Sequence, residues 1–383
     1  MNSIVHLVVG TRPEAVKLAP LALEMRAASL VDPVLVATGQ HPAMVRDTLA
    51  DFGLVPDVTL TLDRRSGEQA ELVARLVPEL DAVVAGGSSA VVVQGDTTSA
   101  LVGGLVAMWR HVPVVHLEAG LRSGDLAAPF PEEANRRMLG VFADLHLAPT
   151  ATAEAALRAE GVDGPRLLRV GNTVVDAAAA IAAHAVGTPP TTPELAAVDA
   201  EVAAGRRRLL LVTAHRRESW GAPLNRVLRA VREIVEAHPD VVCVLPAHAN
   251  PAVRAQVDAA LAGEPRIVVT DPLPYRDLCR MLSRATLVLS DSGGIQEEAP
   301  TFRVPVLVLR DVTERTEAVE AGWARLVGTD DGAIVAAAKE LLAEDRSLPT
   351  APNPFGDGRA AARSAQAVAW LLGRAERPES FTG

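Results

Sequence analysis

Cysteine, aromatic residues and concentrated positive charge are all scarce in this 383-residue chain. Each scarcity removes a class of function. The two cysteines, Cys243 and Cys279, lie in apolar or helical contexts without metal-ligand spacing and read as core filler. No metal is expected. Aromatics are 3% of the residues, so alanine, valine and leucine must fill the core instead. Lys and Arg number 37 against 47 Asp and Glu, a net charge of −10 with no basic block. That argues against a nucleic-acid surface, while leaving room for local basic pockets that take phosphate. No window approaches 18 uninterrupted apolar residues, so no membrane span is expected. The opening "MNSIVHLVVGTRPE" lacks a basic region, a long apolar stretch and a small-residue cleavage site. It reads as a first buried strand, not a signal peptide, and a cytoplasmic enzyme is the default. Two phosphate motifs are missing as well. Without a glycine loop followed by G-K-[ST], ATP is disfavoured; without G-x-G-x-x-G, so is a nicotinamide cofactor.

What the chain has is apolar bulk, 49% of its residues, enough to bury a large core in two domains. Short β-branched runs recur, each closed by a polar or glycine signal. The first half carries "IVHLVVGTR", "PVLVATGQ", "AVVVQGD", "VPVVHLEAG", "LHLAPT" and "LLRVGNT". The second half carries "LLLVTAH", "VVCVLPAH", "RIVVTDP", "TLVLSDSGG", "VPVLVLRD" and "RLVGTD". Amphipathic segments such as "NRVLRAVREIVEAH" lie between them. Continuous apolar strands alternating with helices predict parallel sheets covered on both faces. The expectation is an α/β protein of two Rossmann-like, doubly wound domains with six strands each. "HAVGTPPTTPELAAV", residues 184–198, is the expected hinge, and "RAAARSAQAVAWLLG" is a further helix.

Ligands of such sheets bind beyond the C-terminal strand ends. Those ends offer Arg12, Gln40, His41, Asp96, Glu118, Asn172, His215, His248, Asp271, Ser292 and Arg310. Arg12 and Lys17 sit on a tip-and-helix segment, "GTRPEAVKLAPL", and together could clamp phosphate oxygens. Asp96 is either a helix N-cap or a functional carboxylate. Glu132 and Glu133 open a helix, where acids are ordinary dipole partners. Yet Asp96, Glu118 and Glu132 all arise at one edge of one sheet. Carboxylates converging on a cleft are what proton transfer to and from carbon needs. In the second half, "VTAHRRES" brings His215 with Arg216 and Arg217, and "PAHANP" brings His248. "RDVTERTEAVEAG" holds Arg315 beside a capping box expected at Thr313. "DSGGIQEEAP" ends a strand in Ser292, Gly293 and Gly294, an anion cradle, and then adds two acids, Glu297 and Glu298. A nucleoside diphosphate resolves that pairing: phosphates on the cradle, ribose hydroxyls on one acid.

Together "GTRPEAVKLAPL", "QGDTTSAL", "HLEAGLRSGD", "PFPEEANRRM", "GNTVVDA", "HRRES", "DSGGIQEEAP" and "NPFGDGRA" resemble the bacterial non-hydrolysing UDP-N-acetylglucosamine 2-epimerases. The resemblance runs from about residue 4 to residue 372. It implies a GT-B architecture with the active site in an interdomain cleft. Residues 1–172 and 359–383 would form the first domain, the last helix returning to it, and residues 173–358 the UDP-binding second. It also implies a homodimer, a UDP-sugar substrate and no NAD. The implied chemistry eliminates UDP across C1–C2 to give 2-acetamidoglucal, then adds it back with the proton on the other face. Asp96, Glu118 and Glu132 would handle protons, with His215 assisting the diphosphate. Arg12, Lys17 and Arg315 would contact substrate or phosphate. Ser292, Gly293 and Gly294 would hold the diphosphate, and Glu298 the ribose.

The chain departs from the pattern in places. Ala214 replaces a glycine, Leu278 stands where an aromatic stacks on uracil, and Thr316 replaces a proline after Arg315. Gln40, Glu133 and His248 match residues that bind a second UDP-GlcNAc as activator, whereas Ala43 and "LDRRSGEQ" do not. Two other readings share many of these features: a hydrolysing 2-epimerase that releases UDP and N-acetylmannosamine, and a GT-B glycosyltransferase.

Overall fold

In the computed structural model, residues 3–214, 216 and 220–383 are described. The chain divides into two compact units, Met1–Ala177 with Phe355–Gly383, and Ala178–Pro354. The first unit holds β1 (Ile4–Val9), β2 (Asp32–Ala37), β3 (Val58–Thr59), β4 (Ala90–Gln94), β5 (Val114–Leu117), β6 (Leu145–Ala148) and β7 (Leu167–Arg169). The second holds β8 (Arg208–Thr213), β9 (Val241–Pro246), β10 (Ile267–Thr270), β11 (Ala285–Ser290), β12 (Val306–Val308) and β13 (Ala324–Leu326).

Both sheets are parallel throughout, ordered β3-β2-β1-β4-β5-β6-β7 and β10-β9-β8-β11-β12-β13. These are two doubly wound, Rossmann-like domains of the GT-B type. The first sheet has seven strands where six were expected. The extra one, β3, is two residues long and pairs only Val36 with Val58 and Ala37 with Thr59. A strand that short carries no periodicity to read.

Alternation explains why the strand runs look uniformly apolar. Along β4, Ala90 and Val92 join one core with Leu18, Leu21 and Val368, while Val91 and Val93 join another with Leu76, Leu80 and Val106. Successive side chains point to opposite faces, and helices cover both. The helix Ala360–Leu371 belongs to the first of these cores through Ala365, Val368 and Ala369, and Asp176 accepts the N–H groups of Ala360 and Ala361 at its start. In the second unit the helix Ala222–Ala237 buries Leu224, Val227, Leu228, Val231, Ile234 and Val235 on one stripe against β8 and β9. Cys243 and Cys279 are buried and are not joined in a disulfide.

The segment expected to act as a hinge is bound down within the second unit. Asp277 accepts the Thr191 N–H, the Thr191 hydroxyl and the Thr192 N–H at 3.0, 2.7 and 2.7 Å. Arg280 donates to the carbonyls of Ala185 and Thr188. The boundary between the units accordingly falls earlier, after Ala177.

Two buried histidines of the first sheet couple folding to pH. His116 on β5 and His146 on β6 are register partners, both fully buried, with ring centroids 6.4 Å apart. Burial pushes their pKa values down to about 3 and about 4. A histidine that resists protonation only when folded contributes stability above its ordinary pKa of 6.5. That stability is lost as pH falls from there towards the folded values. Each site should cost about 2 kcal/mol of folding free energy at pH 5 relative to pH 7.5. Urea unfolding at the two pH values tests this: His146→Asn should lessen the drop, and an unchanged drop would show that His146 takes up its proton as readily in the folded protein as in the unfolded chain.

Candidate active site

Strand order places the switch point of the first sheet between β1 and β4, and that of the second between β8 and β11. In open α/β sheets the crevice outside these strand ends is where ligands sit.

In the first unit, Arg12 follows β1 and opens the helix Arg12–Ala28, with Pro13 in its first turn. Asp96 follows β4. The helix after it, Thr98–Trp109, is capped by Thr97, whose hydroxyl accepts the Ala100 N–H at 3.0 Å. Asp96 is therefore not the cap, and its carboxylate is available for chemistry. Burial raises its pKa, the Arg136 guanidinium opposes that, and the nearby charges of Glu118 and Glu132 push it further up. Arg136 Nη2 donates to Asp96 Oδ2, and the Asn135 side chain donates to the Asp96 carbonyl at 2.9 Å. Both come from the helix Glu132–Phe142, which also carries Glu132 in its first turn.

Glu118 follows β5 with φ +60°, a left-handed conformation that a non-glycine residue adopts at a cost. Its carboxylate is held on both oxygens: Oε1 by Lys17 Nζ and, at 3.0 Å, Asn172 Nδ2, and Oε2 by Gln94 Nε2. Lys17, expected at phosphate, is thus placed on a carboxylate. The three predicted acids do come together, since two of them raise the pKa of the third.

Two residues matched to an activator site have structural partners here. Gln40 accepts the Ser99 hydroxyl at 2.7 Å. Glu133 is fully buried, and its carboxylate takes the Ser123 N–H at 3.0 Å, the Gly124 N–H at 3.4 Å, Arg136 at 3.3 Å and Arg137 at 3.0 Å.

In the second unit, Ser292 precedes the short helix Gly293–Glu298. A Cβ on Gly293 would lie 3.3 Å from the Arg315 guanidinium carbon, so Arg315 reaches over Gly293. Arg315 is oriented by Glu297 at 2.9 Å and Glu314 at 3.0 Å. Glu297, 3% exposed, is half of a buried ion pair. Glu298 accepts the Tyr275 hydroxyl at 3.1 Å, and burial raises the Tyr275 pKa well above its usual value. The capping box expected at Thr313 does not form. The helix Thr316–Glu320 has Arg315 at its N-cap without a side-chain bond, and the Thr313 hydroxyl donates to Gln296 and accepts the Arg315 N–H. His248 accepts the Asn250 N–H on Nδ1 at 3.0 Å and lies 5.3 Å from the Trp220 ring, centre to centre. His215 and Arg217 lie outside the described residues.

A family model for UDP-N-acetylglucosamine 2-epimerases matches residues 23–369. The chain belongs to that family. A UDP-N-acetylglucosamine 2-epimerase of Bacillus subtilis is 39% identical over 384 residues, covering 99% of this chain and 98% of the relative. The crystal structure of a putative UDP-N-acetylglucosamine 2-epimerase from Listeria monocytogenes superposes with a TM-score of 0.90 at 39% identity, covering both chains completely. That of a Neisseria meningitidis UDP-GlcNAc 2-epimerase, bound to UDP-GlcNAc, gives 0.84 at 33% identity over 97% of this chain and 100% of that one. This chain is accordingly an epimerase of that family.

Sequence reasoning missed several of the site's residues. Arg136, Asn135, Gln94 and Tyr275 each hold a predicted site residue in place, as does Asn172, which was already among the strand-end candidates. Asp291, fully buried, accepts the Arg216 N–H at 2.9 Å and so links the turns after β8 and β11. For Arg136 and Asn135 a signal was present, since both lie in "PFPEEANRRM", the stretch that supplied Glu132.

Proposed function

We propose that the protein interconverts UDP-N-acetylglucosamine and UDP-N-acetylmannosamine by eliminating and re-adding UDP, without hydrolysing the sugar nucleotide. The observation that carries this reading is that Glu118 and Glu132 both lie within electrostatic reach of Asp96, which is not spent as a cap. C2 of the sugar is not adjacent to a carbonyl, so its hydrogen is not acidic enough for simple exchange. Elimination avoids that difficulty. A carboxylate takes the C2 proton, the C2–H electron pair becomes the C1=C2 bond of 2-acetamidoglucal, and the C1–O bond breaks to release UDP. Re-addition returns a proton to the opposite face of C2 while a diphosphate oxygen bonds C1. Two faces call for two proton-handling groups, and Asp96 with Glu118 or Glu132 supplies them.

The departing diphosphate calls for cations and N–H donors. Arg12 and Arg315 are read as the cations, with His215 added on motif similarity. Ser292, Gly293 and Gly294 are read as the backbone cradle and Glu298 as the ribose ligand, set by its bond from Tyr275. Lys17 is read as the partner that orients Glu118.

Incubation with UDP-GlcNAc in D2O, followed by NMR at C2, tests the reading. The expected result is deuterium at C2 in a mixture of two intact UDP-sugars. Free N-acetylmannosamine with UDP would point instead to a hydrolysing enzyme, and no exchange on long incubation would sink the proposal.

A further inference from the structure

The switch-point crevice of the first sheet is spanned by a carboxylate that none of the steps above uses. Glu14 is fully buried, and its Oε2 accepts the Gly10 N–H at 3.0 Å and the Thr11 hydroxyl at 2.8 Å, both in the turn after β1. Its Oε1 accepts the Thr97 hydroxyl at 2.7 Å, in the turn after β4. These two turns carry Arg12 and Asp96. In a dinucleotide-binding sheet the N–H groups of the first turn meet a ligand phosphate; here Gly10 donates to the protein's own side chain. The turns meet closely: a Cβ on Gly10 would stand 2.2 Å from Ser99 Oγ and 2.9 Å from Thr38 Oγ1.

Thr97 makes the link directional. Its hydroxyl proton goes to Glu14 while its oxygen caps the helix Thr98–Trp109 by accepting the Ala100 N–H. The residue just before it in the chain is Asp96. Burial pushes the Glu14 pKa up to about 7 despite these donors, so the carboxylate is held there at a cost. A buried acid with no opposite charge bonded to it among the described residues indicates a requirement other than stability.

We propose that Glu14 is a positioning residue that sets the Asp96 turn against the Arg12 turn, acting on Asp96 through the Thr97 hydroxyl. This rests on the proposed epimerase reading, in which Asp96 transfers a proton. Small misplacements of a reacting group cost large factors in rate, so the effect falls chiefly on turnover; UDP affinity, to which Arg12 is read as one contributor beside the cradle and Arg315 of the second unit, shifts far less.

The test measures deuterium exchange at C2 under saturating UDP-GlcNAc, UDP affinity by calorimetry, and thermal unfolding. Glu14→Gln, which keeps the shape but loses an acceptor oxygen, should slow exchange by about tenfold or more while UDP affinity stays within about threefold. Thr97→Val should act in the same direction. The double variant should fall no more than about twofold below the weaker single one, because both changes break one link. Variants that unfold earlier yet exchange at the wild-type rate would overturn the proposal, as would fully additive losses. Should Glu14→Gln fail to fold, Thr97→Val decides alone: an unchanged rate refutes the link, and a tenfold loss with UDP affinity kept supports it. Absence of exchange in the wild type would overturn both this proposal and the epimerase reading; exchange that the variants leave intact would overturn this one only.

Discussion

Asp96→Asn should reduce C2 exchange by about 10³-fold while leaving UDP binding nearly intact, the range expected on removing a positioned proton-transfer group. The physical case begins with environment. The carboxyl is mostly buried, with 24% of the side chain exposed, and its pKa is raised first by desolvation and then by the charges on Glu118 and Glu132. A carboxylate with a raised pKa is a better base, and a proton on carbon needs one. Asparagine keeps the size and offers an oxygen to Arg136, so the fold should survive. It cannot accept a proton. UDP affinity should survive as well, because the proposed cradle, Ser292 to Gly294, and Arg315 belong to the other unit. Titration with UDP alone, beside the exchange rate, separates the two effects. If UDP affinity collapsed in a folded variant, Asp96 would be a binding residue and proton transfer would have to be reassigned to Glu118 and Glu132.

Arg136→Leu carries the largest expected effect on stability. Its guanidinium, 8% exposed, bridges Asp96 and the fully buried Glu133. Removing one partner from buried ion pairs strands the others, at a cost of about 3–5 kcal/mol. Glu133 keeps the Ser123 and Gly124 N–H groups and Arg137, so the strain should concentrate on Asp96. Without the cation the Asp96 pKa should rise further. Since a base works only when ionised, the acid limb of the pH–rate profile should move to higher pH. Chemical unfolding and the pH profile together check this. A stability loss below about 1 kcal/mol would mean that water replaces Arg136 at both carboxylates.

Much of the site was legible because its parts sit in short strings with distinct local chemistry. A buried parallel strand announces itself as an apolar run, and the residue that breaks the run is the one presented at the sheet edge. Asp96, Glu118 and Ser292 were all placed at the strand ends that way. Where the local string allowed two readings, only geometry decided. Asp96 and Thr97 are adjacent candidates for one cap, and the backbone angles give the cap to Thr97. Glu297 and Glu298 look alike in the string, yet one pairs with Arg315 and the other takes a tyrosine hydroxyl.

The sequence by itself determined two doubly wound domains, the family, and which polar residues stand at the strand ends. It could do so because strand and helix periods and tight-turn chemistry depend on neighbours a few residues away. Only the tertiary structure decided who touches whom. Lys17 meets Glu118 across 101 residues, Glu14 meets Thr97 across 83, and Arg136 meets Asp96 across 40. Those contacts follow from strand order, which sets β1 beside β4 and β4 beside β5. No local rule encodes strand order, because it is fixed by how whole layers bury their faces against one another.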